Sequence, residues 1–144
     1  MFENKDIRWQ QRFSNFKKAY KQLQRFDSQK VLNEMETQGL IKAFEYTYEL
    51  AWKTLQDLLK YKGYNDITGP KPVIEMSFQD AYITDGKGWM RMHKSRNLSS
   101  HTYDEETAAQ IVLSIRNEYV DLFSQLHSRL TVEEVKIFNA ELDE

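Results

Sequence analysis

Over most of its length this chain repeats apolar residues every three or four positions, a spacing that commits it to helices. Trp9, Phe13, Phe16, Tyr20 and Leu23 form one stripe on a helix expected from about Asp6 to Phe26, whose other face is basic. Ile41, Phe44, Tyr48, Trp52, Leu55 and Leu59, widened by Ala51 and Leu58, predict a second helix from about Val31 to Tyr61. Phe44, Tyr48 and Trp52 are read as core, and Gly39 as a weak point. The stretch "YKGYNDITGPKP" then breaks the pattern with two glycines and two prolines. Pro70 and Pro72 suit the first turn of a shorter third helix that carries Val73, Met76 and Ile83, closed by "TDGKG". A fourth begins near Gly88 or Trp89. The fifth runs from about Asp104 to Leu130 with Ala108, Ile111, Ile115, Tyr119, Leu122 and Leu126 on one face. Thr102 with Glu105, and Thr131 with Glu134, have capping-box spacing. No strand-like alternation competes. The expected fold is all-α, an antiparallel up-and-down four-helix bundle with a short additional helix, in one domain over 1–144 with an acidic tail from about 131.

The 144 residues include no cysteine, which excludes disulfides, thiolate nucleophiles and thiolate zinc sites. No apolar run approaches the roughly 20 residues that span a bilayer, and the opening "MFENKDIRWQQRF" lacks the apolar core of a secretion signal. A cytoplasmic protein with no membrane association is expected. Gly-rich phosphate loops, nucleophile elbows, paired-histidine zinc helices and calcium loops are missing from the sequence. No cofactor and no metal are expected.

Charge is uneven along the chain. Lys5 to Lys30 holds eight Lys or Arg against Asp6 and Asp27, whereas Thr131 to Glu144 holds five acids against Lys136. Between Asp85 and Asp104 there is no acid, but Lys87, Arg91, Lys94, Arg96, His93 and His101 all occur. Such a segment attracts phosphate. Within it, "SRNLSSHTYDE" (95–105) places Arg96, His101 and Tyr103 within eight positions. On a continuous helix Arg96 and His101 would point about 140° apart. They can converge if the helix ends at Asn97, Ser99 and Ser100, which favour caps and turns, or if each Arg96 meets the His101 of a second copy. A fixed cation beside an imidazole suits phosphate-ester chemistry. His93 is read as structural or solvent-facing, His127 as a partner of a helix C-terminal dipole, and Asp104 and Glu105 as helix-start acids.

The stretch resembles the R-x4-H-x-Y motif of the HEPN-domain superfamily, with Asn97 as the polar residue after the arginine. "FEYTYELAWKTLQDLL" (44–59) and "GWMRMHKSRNLSSHTYDEETA" (88–108) resemble the superfamily's nucleotidyltransferase substrate-binding branch over about residues 5–130, leaving the acidic tail outside. The resemblance implies a homodimer that partners a minimal nucleotidyltransferase as a toxin–antitoxin pair. It also implies metal-independent cleavage of RNA by Arg96 and His101 drawn from two protomers. In that scheme His101 handles protons at the ribose 2'-hydroxyl, Arg96 holds the scissile phosphate and Asn97 orients the pair. Tyr103 is the implied acceptor of AMP from the nucleotidyltransferase, an off-switch for cleavage. Trp89, Met92, Arg91 and Lys94 are then candidate contacts to the second protomer or to RNA. The alternative is a non-catalytic subunit that binds substrate or nucleotide for the nucleotidyltransferase.

Overall fold

The computed structural model describes residues 6–28 and 31–143. Among them there is no strand. Helix α1 is Arg8–Asp27, α2 Glu34–Tyr61, α3 Pro70–Gln79 and α4 Gly86–Leu98. A 3-10 turn, Ser99–His101, follows; then come α5, Glu105–Ser114, a π-helical turn, Ile115–Tyr119, and α6, Val120–Leu142. The last three are continuous, so five helical rods make up the described chain. No described helix is long and apolar enough to cross a membrane.

The apolar stripes explain which faces meet. Trp9, Phe13, Phe16, Tyr20 and Leu23 are all buried, and α1 lies along α2. Arg12 Nε donates to Asp57 Oδ2 at 3.1 Å beside that seam. Phe123 of α6 joins the helices in one core: its ring lies 6.0 Å from Phe16, 6.4 Å from Tyr20, 6.4 Å from Phe44 and 6.0 Å from Trp89. Rings from α1, α2 and α4 thus converge on one side chain, which fixes α4 and the turn at its end. Phe44 and Tyr48 are buried as expected, whereas Trp52 is only partly so.

Several boundaries differ from the sequence reading, each for a local reason. Helix α2 begins at Glu34 because Asn33 and Glu36 form a reciprocal capping box, with Glu36 N donating to Asn33 Oδ1 at 2.8 Å and Asn33 N to Glu36 Oε1 at 3.0 Å. Gly39 is a close-approach site, since a Cβ there would sit 2.6 Å from the Phe26 ring. Helix α3 stops at Gln79, before "TDGKG", where Ala81 takes a left-handed φ of 63°. Helix α4 starts two residues early because Asp85 accepts from Gly88 N at 2.9 Å.

The two capping boxes expected at Thr102 and Thr131 do not form. Asp104 is the N-cap residue of α5, and Thr102 Oγ1 donates instead to Gln38 Oε1 at 3.3 Å. Thr131 lies inside α6 and donates to the His127 carbonyl at 2.7 Å, so the acidic tail is helical as far as Leu142. His127 therefore sits mid-helix rather than at the end of its own helix, its ring 6.0 Å from Phe13 and 6.1 Å from Tyr20.

Candidate functional site

The site is built where α4 ends. Backbone N–H groups continue in helical bonding through Leu98 and then tighten into the 3-10 turn, so the helix does stop between Arg96 and His101. The two side chains nevertheless take different directions. Arg96 turns toward α2: its Nη1 donates to Glu45 Oε2 at 3.1 Å and to Ser99 Oγ at 3.2 Å, and its Nε lies 3.6 Å from Glu49 Oε1. Ser99 Oγ completes the cluster, bonded to Glu45 and lying 2.7 Å from the Arg96 carbonyl. Glu45 and Glu49 are one turn apart on α2 and grip the guanidinium from one side. No hydrogen bond from Nη2 is found among the described residues, and the side chain is 32% exposed.

Two carboxylates against one guanidinium leave a local charge of about −1, which Lys53 Nζ, 3.9 Å from Glu49, partly offsets. The cluster orients Arg96 firmly and also competes with any phosphate that approaches it. Neither glutamate was singled out from sequence. The available signal was two acids at i and i+4 within the aromatic stretch "FEYTYELAW".

His101 is exposed on the 3-10 turn. Its Nδ1 lies 3.2 Å from Tyr103 Oη, and the two rings stand edge to face, 5.8 Å apart at 77°. Tyr103 is itself 84% exposed. This pairing holds the imidazole by Nδ1 and leaves Nε2 for proton transfer. No hydrogen bond joins Arg96 to His101 among the described residues.

Behind them lies a second pair that the sequence reading left as structural. His93 Nδ1 is 2.8 Å from the phenol oxygen of buried Tyr48, and the Asn97 amide nitrogen is 3.5 Å from His93 Nε2. Asn97 thus contacts His93 rather than Arg96 or His101. Burial pushes the Tyr48 phenol well up. Burial also holds the His93 imidazole below its ordinary value, helped by the positive charge of Lys71 and opposed by Glu49.

The expected contacts on α4 need correction. Trp89 and Met92 are enclosed by their own chain, Trp89 edge-on to Phe123, and present no surface to a second protomer or to RNA. Arg91 is exposed but engaged: its Nε and Nη2 donate to Glu118 Oε1 at 2.9 and 2.6 Å, a bond that raises its already high pKa. Arg91 and Lys94 leave α4 roughly 140° or more round the helix from Arg96, so they do not extend its cationic surface. Asp104 does serve as a helix-start acid, held below its usual range chiefly by the Thr107 hydroxyl at 2.7 Å. Among the described residues no three His, Asp or Glu side chains group as a metal site.

Residues 11–132 match the family described as nucleotidyltransferase substrate binding protein like. The chain belongs to this family. A curated relative, the probable ribonuclease HepT of Haemophilus influenzae, is 30% identical over 112 residues, covering 72% of this chain and 77% of its own. A crystal structure of a Thermus thermophilus protein superposes with a TM-score of 0.74 at 29% identity, covering 80% of this chain and 98% of that one. A Haemophilus influenzae structure, described as revealing the fold of a substrate binding domain of a nucleotidyltransferase, has a TM-score of 0.64 at 24% identity over 88% and 99% of the two chains. That likeness speaks for the fold alone. The nucleotidyltransferase substrate-binding match ends at 132, ten residues before α6 does.

Proposed function

We propose that this chain is a single-domain HEPN-type toxin subunit, an up-and-down four-helix bundle with α3 as its short additional helix, that cleaves RNA as a homodimer and is held in check by a minimal nucleotidyltransferase. The observation that carries the reading is the exposed His101, ordered through Nδ1 by Tyr103, five residues beyond a part-exposed arginine whose Nη2 makes no hydrogen bond among the described residues. Within one chain the two do not meet, so a second copy supplies the partner. His101 Nε2 of one protomer takes the proton of a ribose 2'-hydroxyl, and O2' attacks the adjacent phosphorus. The P–O5' bond breaks and the leaving oxygen takes a proton from water, giving a 2',3'-cyclic phosphate and a 5'-hydroxyl, while the imidazolium releases its proton to solvent. Arg96 Nη2 neutralises charge on the phosphoryl oxygens. Base and charge work are assigned to side chains and the leaving group's proton to water, so the scheme requires no metal. The relative named a probable ribonuclease supports this assignment.

The Tyr103 phenol is the proposed AMP acceptor. Its oxygen attacks the α-phosphorus of ATP held by the nucleotidyltransferase, pyrophosphate leaves and the phenol proton goes to solvent. The acceptor oxygen is the atom that contacts His101 Nδ1, so modification removes the group that orders the imidazole while adding negative charge beside it. Co-expression with the nucleotidyltransferase is expected to add AMP to the peptide containing Tyr103 and to silence cleavage. An unmodified Tyr103 in silenced protein would contradict it.

A composite site is tested by mixing two inactive variants. Arg96→Ala and His101→Ala proteins, dissociated and re-paired, form mixed dimers carrying one intact Arg/His set, so cleavage should return to about a quarter of wild type. No recovery, with mixed dimers shown to form, would overturn the shared site. A second reading, a non-catalytic substrate- or nucleotide-binding subunit, is favoured by one observation, the two carboxylates that already occupy Arg96.

A further inference from the structure

Tyr48, His93 and Asn97 run as a file of side chains from the core to the surface beside the candidate site, and the direction of its hydrogen bonds is set at the buried end. The Tyr48 ring is buried against Phe44, and among the described residues its hydroxyl meets one polar atom, His93 Nδ1 at 2.8 Å. A buried hydroxyl left without an acceptor is costly, so the phenol donates and Nδ1 accepts. Burial keeps both groups in the forms this needs, the phenol protonated and the imidazole neutral at pH 7. A neutral imidazole carries one ring proton, which therefore sits on Nε2.

His93 Nε2 faces the Asn97 side chain one turn along α4, 3.5 Å from Nδ2. Two donors in that position would oppose one another. A half-turn of the amide keeps its shape and brings Oδ1 to the ring, where it accepts from Nε2–H. The same half-turn sends both N–H bonds of Nδ2 away from His93 and into solvent, because Asn97 is exposed. Asn97 directly follows Arg96 and stands four residues from His101, so these donors belong to the segment that carries the candidate site. The orientation decides the sign of the interaction: an outward carbonyl oxygen repels a phosphate, whereas an outward NH2 binds one. Glu45 and Glu49 already engage Arg96, but no carboxylate bonds to Asn97 among the described residues.

We propose that Asn97 Nδ2 is a donor to the phosphate of bound RNA and that Tyr48 and His93 are positioning residues that aim it, through a one-way relay from phenol to imidazole to amide. The assignment rests on the RNA-cleaving reading above and deepens it. The family resemblance gives Asn97 a role toward Arg96 and His101; the relay instead turns its donors toward the substrate.

The test needs no cleavage. Single-stranded RNA with fluorine in place of each 2'-hydroxyl keeps its phosphates but has no O2' nucleophile, and its binding to the full chain is titrated for the wild type and variants. Long-range 1H–15N spectra of the wild type should show His93 protonated on Nε2, its resonances assigned by their loss in His93→Ala. Asn97→Ala should bind the fluorinated RNA about fivefold more weakly, and Tyr48→Phe, which keeps the ring but deletes the donor, about threefold. In the Asn97→Ala background Tyr48→Phe should have no further effect, because the group it aims is gone; a purely structural role would add in full. A proton on Nδ1, an additive Tyr48→Phe effect, wild-type affinity in Asn97→Ala or no binding by the wild type overturns the relay. The graded binding with natural RNA left intact supports the relay and counts against cleavage, so the two failures are told apart.

Discussion

Arg96 and Glu45 set the behaviour of the site at the scale of single residues. Glu45 both aims the guanidinium and opposes an incoming phosphate, and the two roles separate by substitution. Glu45→Gln keeps an oxygen that can accept from Nη1 but removes the charge, so RNA should bind about fivefold more tightly with turnover retained. Glu45→Ala removes the acceptor as well, and turnover should fall. Steady-state KM and kcat for the two variants check this; equal losses in both would mean that Glu45 only supports the fold. His93 gives a second residue-level prediction. Its folded pKa is depressed below the ordinary 6.5, so the unfolded chain takes up protons first as pH falls. Its contribution to stability is full above pH 6.5 and is lost as the pH drops through 6.5 toward the folded value. His93→Asn should flatten the fall in melting temperature between about pH 7.5 and 5.5; an unchanged slope would contradict it.

Elements explain what was legible in the sequence and what was not. Apolar spacing identified α1, α2 and the long last rod, because burial of one face dominates helix placement and leaves a periodic record, whereas α3 and α4 were read from the prolines, glycines and turns that bound them. Boundaries were less legible: the Asn33–Glu36 box sets the start of α2 three residues after Val31, and Asp104 rather than Thr102 stands at the N-cap position of α5. Helix α6 outran its expected end because Leu130 and Ile137 keep one face buried past the acids. At the candidate site the motif Arg96, His101 and Tyr103 was readable, since it is contiguous. The grip on Arg96 was not, because Glu45 and Glu49 are about fifty positions away and only the fold brings them there. The π turn had no sequence signal either, although it aims Tyr119 at α4, donating to the Arg91 carbonyl at 3.1 Å and bonded to Ser95 Oγ at 2.6 Å. Tyr119→Phe deletes both bonds while keeping the ring on Phe44. It should cost about 1–3 kcal/mol in chemical denaturation, and a loss within error would show that α4 is held by packing alone.

At the scale of the whole molecule, rings from α1, α2 and α4 gather round Phe123 of α6; the last turn of α4 holds Arg96 half-turned toward α2, and the turn that follows presents His101 and Tyr103 outward. Under the proposed reading, a single chain offers two incomplete halves of a phosphate-cleaving site, the arrangement a two-fold pair would complete. The central claim is that this pair cuts RNA with its own side chains, and one measurement bears on it most directly. Single-stranded RNA is incubated in EDTA with the wild-type chain and with His101→Ala, both purified without the nucleotidyltransferase. The wild type should cleave and leave 2',3'-cyclic phosphate ends, and His101→Ala should be slower by at least about 100-fold, the scale of a lost general base. Equal, negligible cleavage by both would contradict it and favour the binding-subunit reading.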